Sequence, residues 1–242
     1  MKLIAPDYYP AFRCIAGACR HTCCEGWEIN IDDEALHRYQ TMPGEFGEML
    51  RGNISLSPAP HFKLLPGERC PLLREDRLCT LIAEKGEENL CQICRDHPRF
   101  RNYWSDRIEI GLGMACEEAA RLILTCDHPL FLITAGEDPE ETPREPDQAE
   151  LSLRGYRDWL LAGIKENGPA ARLKEYLIYR HLADALYDNR PEERVRFVSR
   201  AYTEILSGWD GLDVSRLIER ARAFSNEVEY DDEKLEDMIS GK

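Results

Sequence analysis

Thiols are the residues of this chain whose number and spacing could do chemistry. Ten cysteines stand at positions 14, 19, 23, 24, 70, 79, 91, 94, 116 and 126, nine of them before residue 117. They fall into groups: Cys14-x4-Cys19-x3-Cys23-Cys24, then Cys70-x8-Cys79, then Cys91-x2-Cys94, then Cys116 alone. A short exported chain with such a series would use it for disulfides. Here 242 residues are enough to bury a core, and the opening MKLIAPDYYPAF has one lysine and no apolar run of the signal-peptide kind. The expected setting is a reducing cytoplasm, where clustered thiols bind metal or react.

Zinc takes four thiolates in a tetrahedron, and a 4Fe–4S cluster takes one per iron. Spacing leaves the partition open. Eight ligands could make one cluster and one zinc, two clusters, or one cluster beside structural thiols. Adjacent side chains point in different directions, so Cys23 and Cys24 suit a bulky cluster, or two metals, better than a single zinc ion. Iron–sulfur is therefore favoured over zinc. Cys91 and Cys94 have the spacing that turns both sulfurs toward one metal. Cys126, in an apolar helical pattern, reads as a packing thiol.

The elements that must position these groups divide by composition. Residues 1–135 form a Cys-rich, metal-binding region of irregular segments. Residues 136–149, GEDPEETPREPDQA, hold three prolines and six acidic side chains and read as a linker or exposed loop. Residues 150–242 read as a helical region. In the first part a helix is expected over 33–42, capped by Asp32 or Asp33. Strand-like alternation marks 27–31 and 106–113. Helical turns flank Gly86, and a helix runs over 116–126 with Ala119, Leu122, Ile123 and Cys126 turned inward. In the second part helices are expected over 150–166, from Pro169 to 188, from Pro191 to 206, over 214–224 and over 231–239, with proline at first-turn positions. Tyr176, Tyr179 and Tyr187 form a stripe suited to a core or groove wall. The fold class is thus mainly α: an irregular Cys-rich N-terminal part with a few short strands, then a bundle-like helical part.

Charge narrows the partners. A formal net charge of −14 disfavours nucleic acid, and no stretch approaches the roughly 20 apolar residues that span a bilayer. No glycine-rich dinucleotide loop occurs, nor does the C-x3-C-x2-C motif of radical enzymes. "GLG" at 111–113 reads as a turn bringing Cys116 to the metal.

The order of these residues resembles the flagellin lysine-N-methylase family. The pattern is carried by Phe12, Cys14, Cys19, Cys23, Cys24, Gly26 and Trp27, then by CPLL at 70–73 and LCTLI at 78–82. Gly86, Leu90, Cys94, Pro98 and Arg99 follow, and then the helix opening at Cys116 in ACEEAARLIL. The likeness covers about residues 7–125, and more weakly 175–188. His97 stands where the family has tyrosine, Cys91 is additional, and full-length members are longer.

The resemblance implies a cytoplasmic protein holding a 4Fe–4S cluster, with zinc as the alternative. It further implies methyl transfer from S-adenosylmethionine to lysine side chains of a protein substrate, flagellin or a relative. The implied ligand pool is Cys14, Cys19, Cys23, Cys24, Cys70, Cys79, Cys94 and Cys116. Carboxylates and aromatic faces suit both the lysine and the sulfonium. By position alone, Glu25, Trp27, Asp96 and His97 could serve, Trp27 equally as a core anchor and His97 as a structural or ligand-orienting group. Arg99 could donate to a cluster sulfur, a cofactor carboxylate or a helix end. Two other functions fit the same residues: a non-catalytic zinc or iron–sulfur interaction module, and a redox protein.

Overall fold

The structure, a computed structural model, describes residues 1–188, 190–229 and 232–240. Strand β1 (Lys2–Pro6) opens the chain. It is followed by helices α1 (Asp33–Thr41) and α2 (Gly44–Gly52), two-residue strands β2 (Ile54–Ser55) and β3 (His61–Phe62), and short helices α3 (Thr80–Lys85) and α4 (Gln92–Asp96). Strands β4 (Arg99–Tyr103) and β5 (Arg107–Leu112), helix α5 (Glu117–Leu124) and strand β6 (Leu132–Glu137) come next. Helices α6 (Gln148–Ala162), α7 (Gly168–His181), α8 (Ala185–Asp188), α9 (Pro191–Leu206), α10 (Val214–Glu229) and α11 (Asp232–Ser240) complete it. The fold is mainly α. Asp231, first residue of the expected last helix, lies outside the described residues.

Two compact units share the chain: residues 14–97, and residues 1–13 with 98–242. The smaller is an insertion between β1 and β4 of the larger. The expected Pro/acidic segment 136–149 falls within the larger unit, and its first two residues end strand β6.

In the larger unit the sheet order is β4-β5-β1-β6. β4 and β5 form an antiparallel hairpin, β1 runs parallel to β5, and β6 is antiparallel to β1. A parallel neighbour demands a long crossover, and the inserted unit lies within that connection. Phe100 stands opposite Gly111, where a Cβ would sit 2.2 Å from the ring's Cζ. Gly111 is therefore a strand residue that admits an aromatic ring, and the expected turn is confined to the end of "GLG". The core joins α5, α6, α7, α9 and α10 through Ile123, Leu153, Leu177, Phe197 and Leu217. Tyr176 and Tyr179 belong to the buried interior and are hydrogen-bonded there: Met114 N donates to the Tyr176 hydroxyl, and the Tyr179 hydroxyl lies within reach of Ile110 O and Ile4 O. Tyr187 is exposed, so the stripe is core for two of its three members.

In the smaller unit Asp32 N-caps α1, accepting from Ala35 N at 2.9 Å. Arg51 ties the end of α1 by donating to the carbonyls of Tyr39, Gln40 and Met42. Gly47 allows α2 to approach, since a Cβ there would meet Met42 O at 2.0 Å. Residues 27–31 do not form the expected strand. Ile29 and Ile31 are buried, as the alternation implied, but the segment makes only an isolated bridge from Asn30 to His61. Its partner, β3, is two residues long and too short to extend a ladder.

Candidate metal centre

Backbone pairing in the smaller unit draws the cysteines together from four separate segments. Cys70 N donates to Cys24 O at 2.8 Å, and Gly26 N donates to Glu68 O, so the Cys-Cys pair lies along the strand that leads into Cys70. A tight hairpin follows. Leu73 bridges Cys79, and Thr80 N donates to Leu72 O, returning the chain beside Cys70. Gly86, at φ 91°, then breaks α3 in a conformation that favours glycine. The chain reverses to Cys91, the N-cap of α4. Asp32 fixes this last step: its second carboxylate oxygen accepts from Gln92 N at 2.7 Å. One aspartate thus anchors the starts of both α1 and the C-x2-C helix. Burial pushes its carboxyl up, but the amides of Gln92 and Ala35 and the Arg38 charge outweigh that and hold it below the usual range.

The result is an apolar cluster that contains Cys70 and Cys91 among its buried members, with Cys24, Cys79 and Cys94 packed against it. Burial raises the Cys70 thiol to about 11, and Cys79, Cys91 and Cys23 add to the rise. Cys79 is raised by burial too, with Cys23 and Cys91 contributing. Cys94 donates its S–H to Cys91, so Cys91 is lowered by that bond while Cys94 is raised by it, by burial, and by Cys91, Cys24 and Cys70. Cys70, Cys79 and Cys94 therefore resist becoming thiolates, and neighbouring thiols of the same cluster contribute to each rise. A bound cation removes that conflict, because ligation deprotonates the thiol and the ion carries the opposing charge. The donor set fits a thiophilic metal. Among the described residues, the trio of potential ligand atoms found within 4.8 Å of one another lies elsewhere, at Cys126, Asp127 and His128.

The other expected ligands are placed as follows. Cys14 is exposed and Cys19 half-buried, around a single 3-10 turn at Ala16–Ala18. Arg77, in the turn just before Cys79, donates to the carbonyls of Cys19 and Arg20, bringing this segment to the hairpin that carries Cys79. Cys116 belongs to the larger unit, where it N-caps α5 and packs with Phe12, Leu112 and Ala119. Cys91 was an unassigned addition in the sequence, yet it is 1 % exposed and central to the cluster. Its C-x2-C spacing was the available signal.

Of the residues singled out by position, Trp27 acts as an anchor. Its Nε1 donates to Cys23 O at 2.9 Å, and its ring stacks on His97 at 6.1 Å. Glu25 pairs with Arg69 at 3.7 Å across partly exposed surface. Asp96 closes α4 in the smaller unit, and Arg99, in the larger unit, lies over the Phe12 ring at 5.3 Å. Cys126 lies beyond the last residue of α5, half-buried, and is not the inward-facing helical residue expected.

The larger unit holds a cavity of about 960 Å³. Tyr103, Trp104, Tyr156 and Tyr187 line it, together with Glu141, Asp147, Glu150, Glu192 and a single arginine, Arg144. Trp104 is itself surrounded by Arg107, Arg154 and Arg157, with guanidinium carbons 4.7–5.6 Å from its ring centre. Asp147 caps α6 and Glu150 accepts from Ser105 N and Oγ, so those two carboxylates also hold the walls together.

Similarity to known proteins is partial. The chain is 29 % identical over 127 residues to the lysine-N-methylase of Salmonella typhimurium strain LT2, covering 49 % of this chain and 31 % of that protein. The lysine-N-methylase of Salmonella choleraesuis strain SC-B67 gives the same figures. The flagellar biosynthetic protein FliU of Salmonella muenchen is 29 % identical over 126 residues, 49 % of this chain and 75 % of FliU. The matched stretch thus spans about a third of the lysine-N-methylases. No family model and no solved structure matches the chain. Among the described residues, no helix is long and apolar enough to cross a membrane.

Proposed function

We propose that this chain is an iron–sulfur protein of the lysine-N-methylase kind, which passes a methyl group from S-adenosylmethionine to a lysine of a protein substrate, flagellin or a relative. The observation that carries the reading is the similarity to proteins named lysine-N-methylase, combined with the gathering of cysteines from four segments of the smaller unit. Cys23, Cys24, Cys70, Cys79, Cys91 and Cys94 would form the core of the ligand set, with Cys14 and Cys19 as further candidates from the same unit. A 4Fe–4S cluster bound there would supply a compact centre of charge and, at any iron without a protein thiolate, an open coordination position.

The reaction needs a neutral amine in line with the sulfonium methyl. A base first takes a proton from the lysine ammonium; the nitrogen–carbon bond then forms as the sulfur–carbon bond breaks, leaving a thioether and a methylated ammonium. Both reactants enter as cations. The cavity of the larger unit offers such ligands the rings of Tyr103, Tyr156 and Tyr187 and more carboxylates than arginines. Glu141 and Glu192 are exposed carboxylates of that lining.

The test begins with anaerobic purification and measurement of iron, sulfide and zinc per chain. A brown protein with about four irons and four sulfides is expected. It should transfer label from S-adenosylmethionine to flagellin lysines. A colourless zinc protein rejects the cluster. A cluster-loaded protein that neither binds S-adenosylmethionine nor transfers methyl is a redox or interaction module instead.

A further inference from the structure

The loop between α5 and β6 places three different metal-binding side chains in succession: Cys126, Asp127 and His128. Their ligand atoms all lie within 4.8 Å of one another. The His128 Nε2 is the hub. It lies 3.5 Å from Cys126 Sγ, 3.8 Å from Asp127 Oδ1 and 3.2 Å from Oδ2 of Asp7. A tetrahedral zinc with ordinary bond lengths separates a thiolate sulfur from an imidazole nitrogen by about 3.6 Å, and the nitrogen from a carboxylate oxygen by about 3.4 Å. The edges of that tetrahedron are already approximated by these side chains.

Two further observations point the same way. The other imidazole nitrogen, Nδ1, lies 3.1 Å from Pro129 O and 3.6 Å from Cys126 Sγ; in the tautomer that donates from Nδ1 to the carbonyl, Nε2 keeps its lone pair for a metal. Metal-bound histidines are oriented by such a bond. Asp7 has one carboxylate oxygen, Oδ1, buried without a partner, while its other oxygen faces His128. The backbone holds this geometry: Asp7 N donates to Phe131 O as β1 leaves the sheet beside the start of β6, and Leu130 N donates to Glu175. Next to the sulfur and the imidazole is a cavity of about 10 Å³, also lined by Tyr8 and Glu175, close to the space one water needs.

We propose that Cys126, Asp127 and His128, backed by Asp7, form a second metal site in the larger unit that takes a zinc-like divalent ion. Sulfur, imidazole and carboxylate together select a borderline ion such as zinc or cobalt over magnesium or calcium. Three protein ligands beside a water-sized space leave one position open to solvent.

The experiment uses the full chain purified anaerobically, with weakly held metal removed by a chelator. Cobalt(II) titration of the wild type, Cys126→Ser and His128→Ala is expected to show one cobalt equivalent fewer in each variant, with the remaining binding unchanged. In the wild type, added zinc should slow iodoacetamide alkylation of Cys126, read at that residue by mass spectrometry, and His128→Ala should abolish the protection. Equal cobalt stoichiometry in all three proteins, or Cys126 alkylated as fast with zinc as without it, overturns the site. The wild-type protection measurement decides the matter even if a variant folds poorly.

Discussion

The two units bury different things at their centres. The larger one closes a sheet and its helices over aliphatic and aromatic side chains, among them Phe197, Leu177 and Leu217, each at most 1 % exposed. The smaller one has α-helices of five to nine residues and strands of two, and Cys70 and Cys91 lie inside its apolar cluster. Burying apolar carbon contributes about 25 cal/mol for each Å² removed from water. Burying thiols that raise one another's pKa contributes little until a cation joins them. The larger unit therefore relies on packing, and the smaller, on the proposed reading, on packing and ligation together.

Removing the metal should produce the largest effect. Stripping the purified protein with a strong chelator is expected to abolish protection of amides in residues 14–97 against hydrogen exchange, while those of α7 and α9 stay protected. Structural thiolate sites are worth about 10–16 kcal/mol in small zinc domains, as large as the net stability of about 4–13 kcal/mol ordinary for an 84-residue unit. Simultaneous loss of protection in both units would end the contrast drawn above, and retention in both would show that the smaller unit folds without ligation.

A smaller effect should expose a place where the larger unit does rely on charge. Arg157 makes a two-pronged contact with Glu109, at 2.6 and 3.0 Å, and Glu109 is fully buried. Arg107 also reaches it, at 2.9 Å. Removing one partner of a buried pair leaves an uncompensated charge, which costs about 3–5 kcal/mol. Because Arg107 remains, Arg157→Met should cost toward the lower figure, measured by denaturant unfolding of the larger unit. Loss of under 1 kcal/mol, the range of an exposed pair, would mean that water reaches Glu109.

The same contrast explains what the sequence revealed. The helices of the larger unit were visible because an apolar stripe and a proline at the first turn are local signals. Pro169 and Pro191 each stand in the first turn of their helix. β1, β4 and β6 were not visible. β1 pairs with β5 more than 100 residues away and β6 is mostly exposed, so neither carries a local alternation that requires a strand. In the smaller unit the thiol spacing announced metal chemistry, but the contacts that gather the thiols are backbone pairings such as Cys70 with Cys24, which leave no mark on side-chain type. The C-D-H run at 126–128 was hidden in a helical pattern. The helix ends at Leu124, and only the fold brings Asp7 to the imidazole.

The smallest effect concerns Asp32, whose two oxygens serve α1 and α4 at once. Asp32→Asn keeps one acceptor and replaces the other with an amide N–H₂, which must face a backbone donor. Loss of a helix cap costs about 1 kcal/mol, so a cost of that order is expected, read from hydrogen exchange at Ala35 and Gln92. The pH dependence has a definite sign. The folded carboxyl lies below its ordinary value, so its stabilising contribution is present above the unfolded aspartate pKa and is lost as pH falls through the folded one. The difference between wild type and Asp32→Asn should therefore be constant near neutrality and shrink below about pH 4. A difference that stays constant well into acid would show that the variant fails through the shape of its amide and not through loss of charge. Equal exchange at Gln92 in both proteins would show that α4, and with it the C-x2-C pair, is held by the thiol cluster alone.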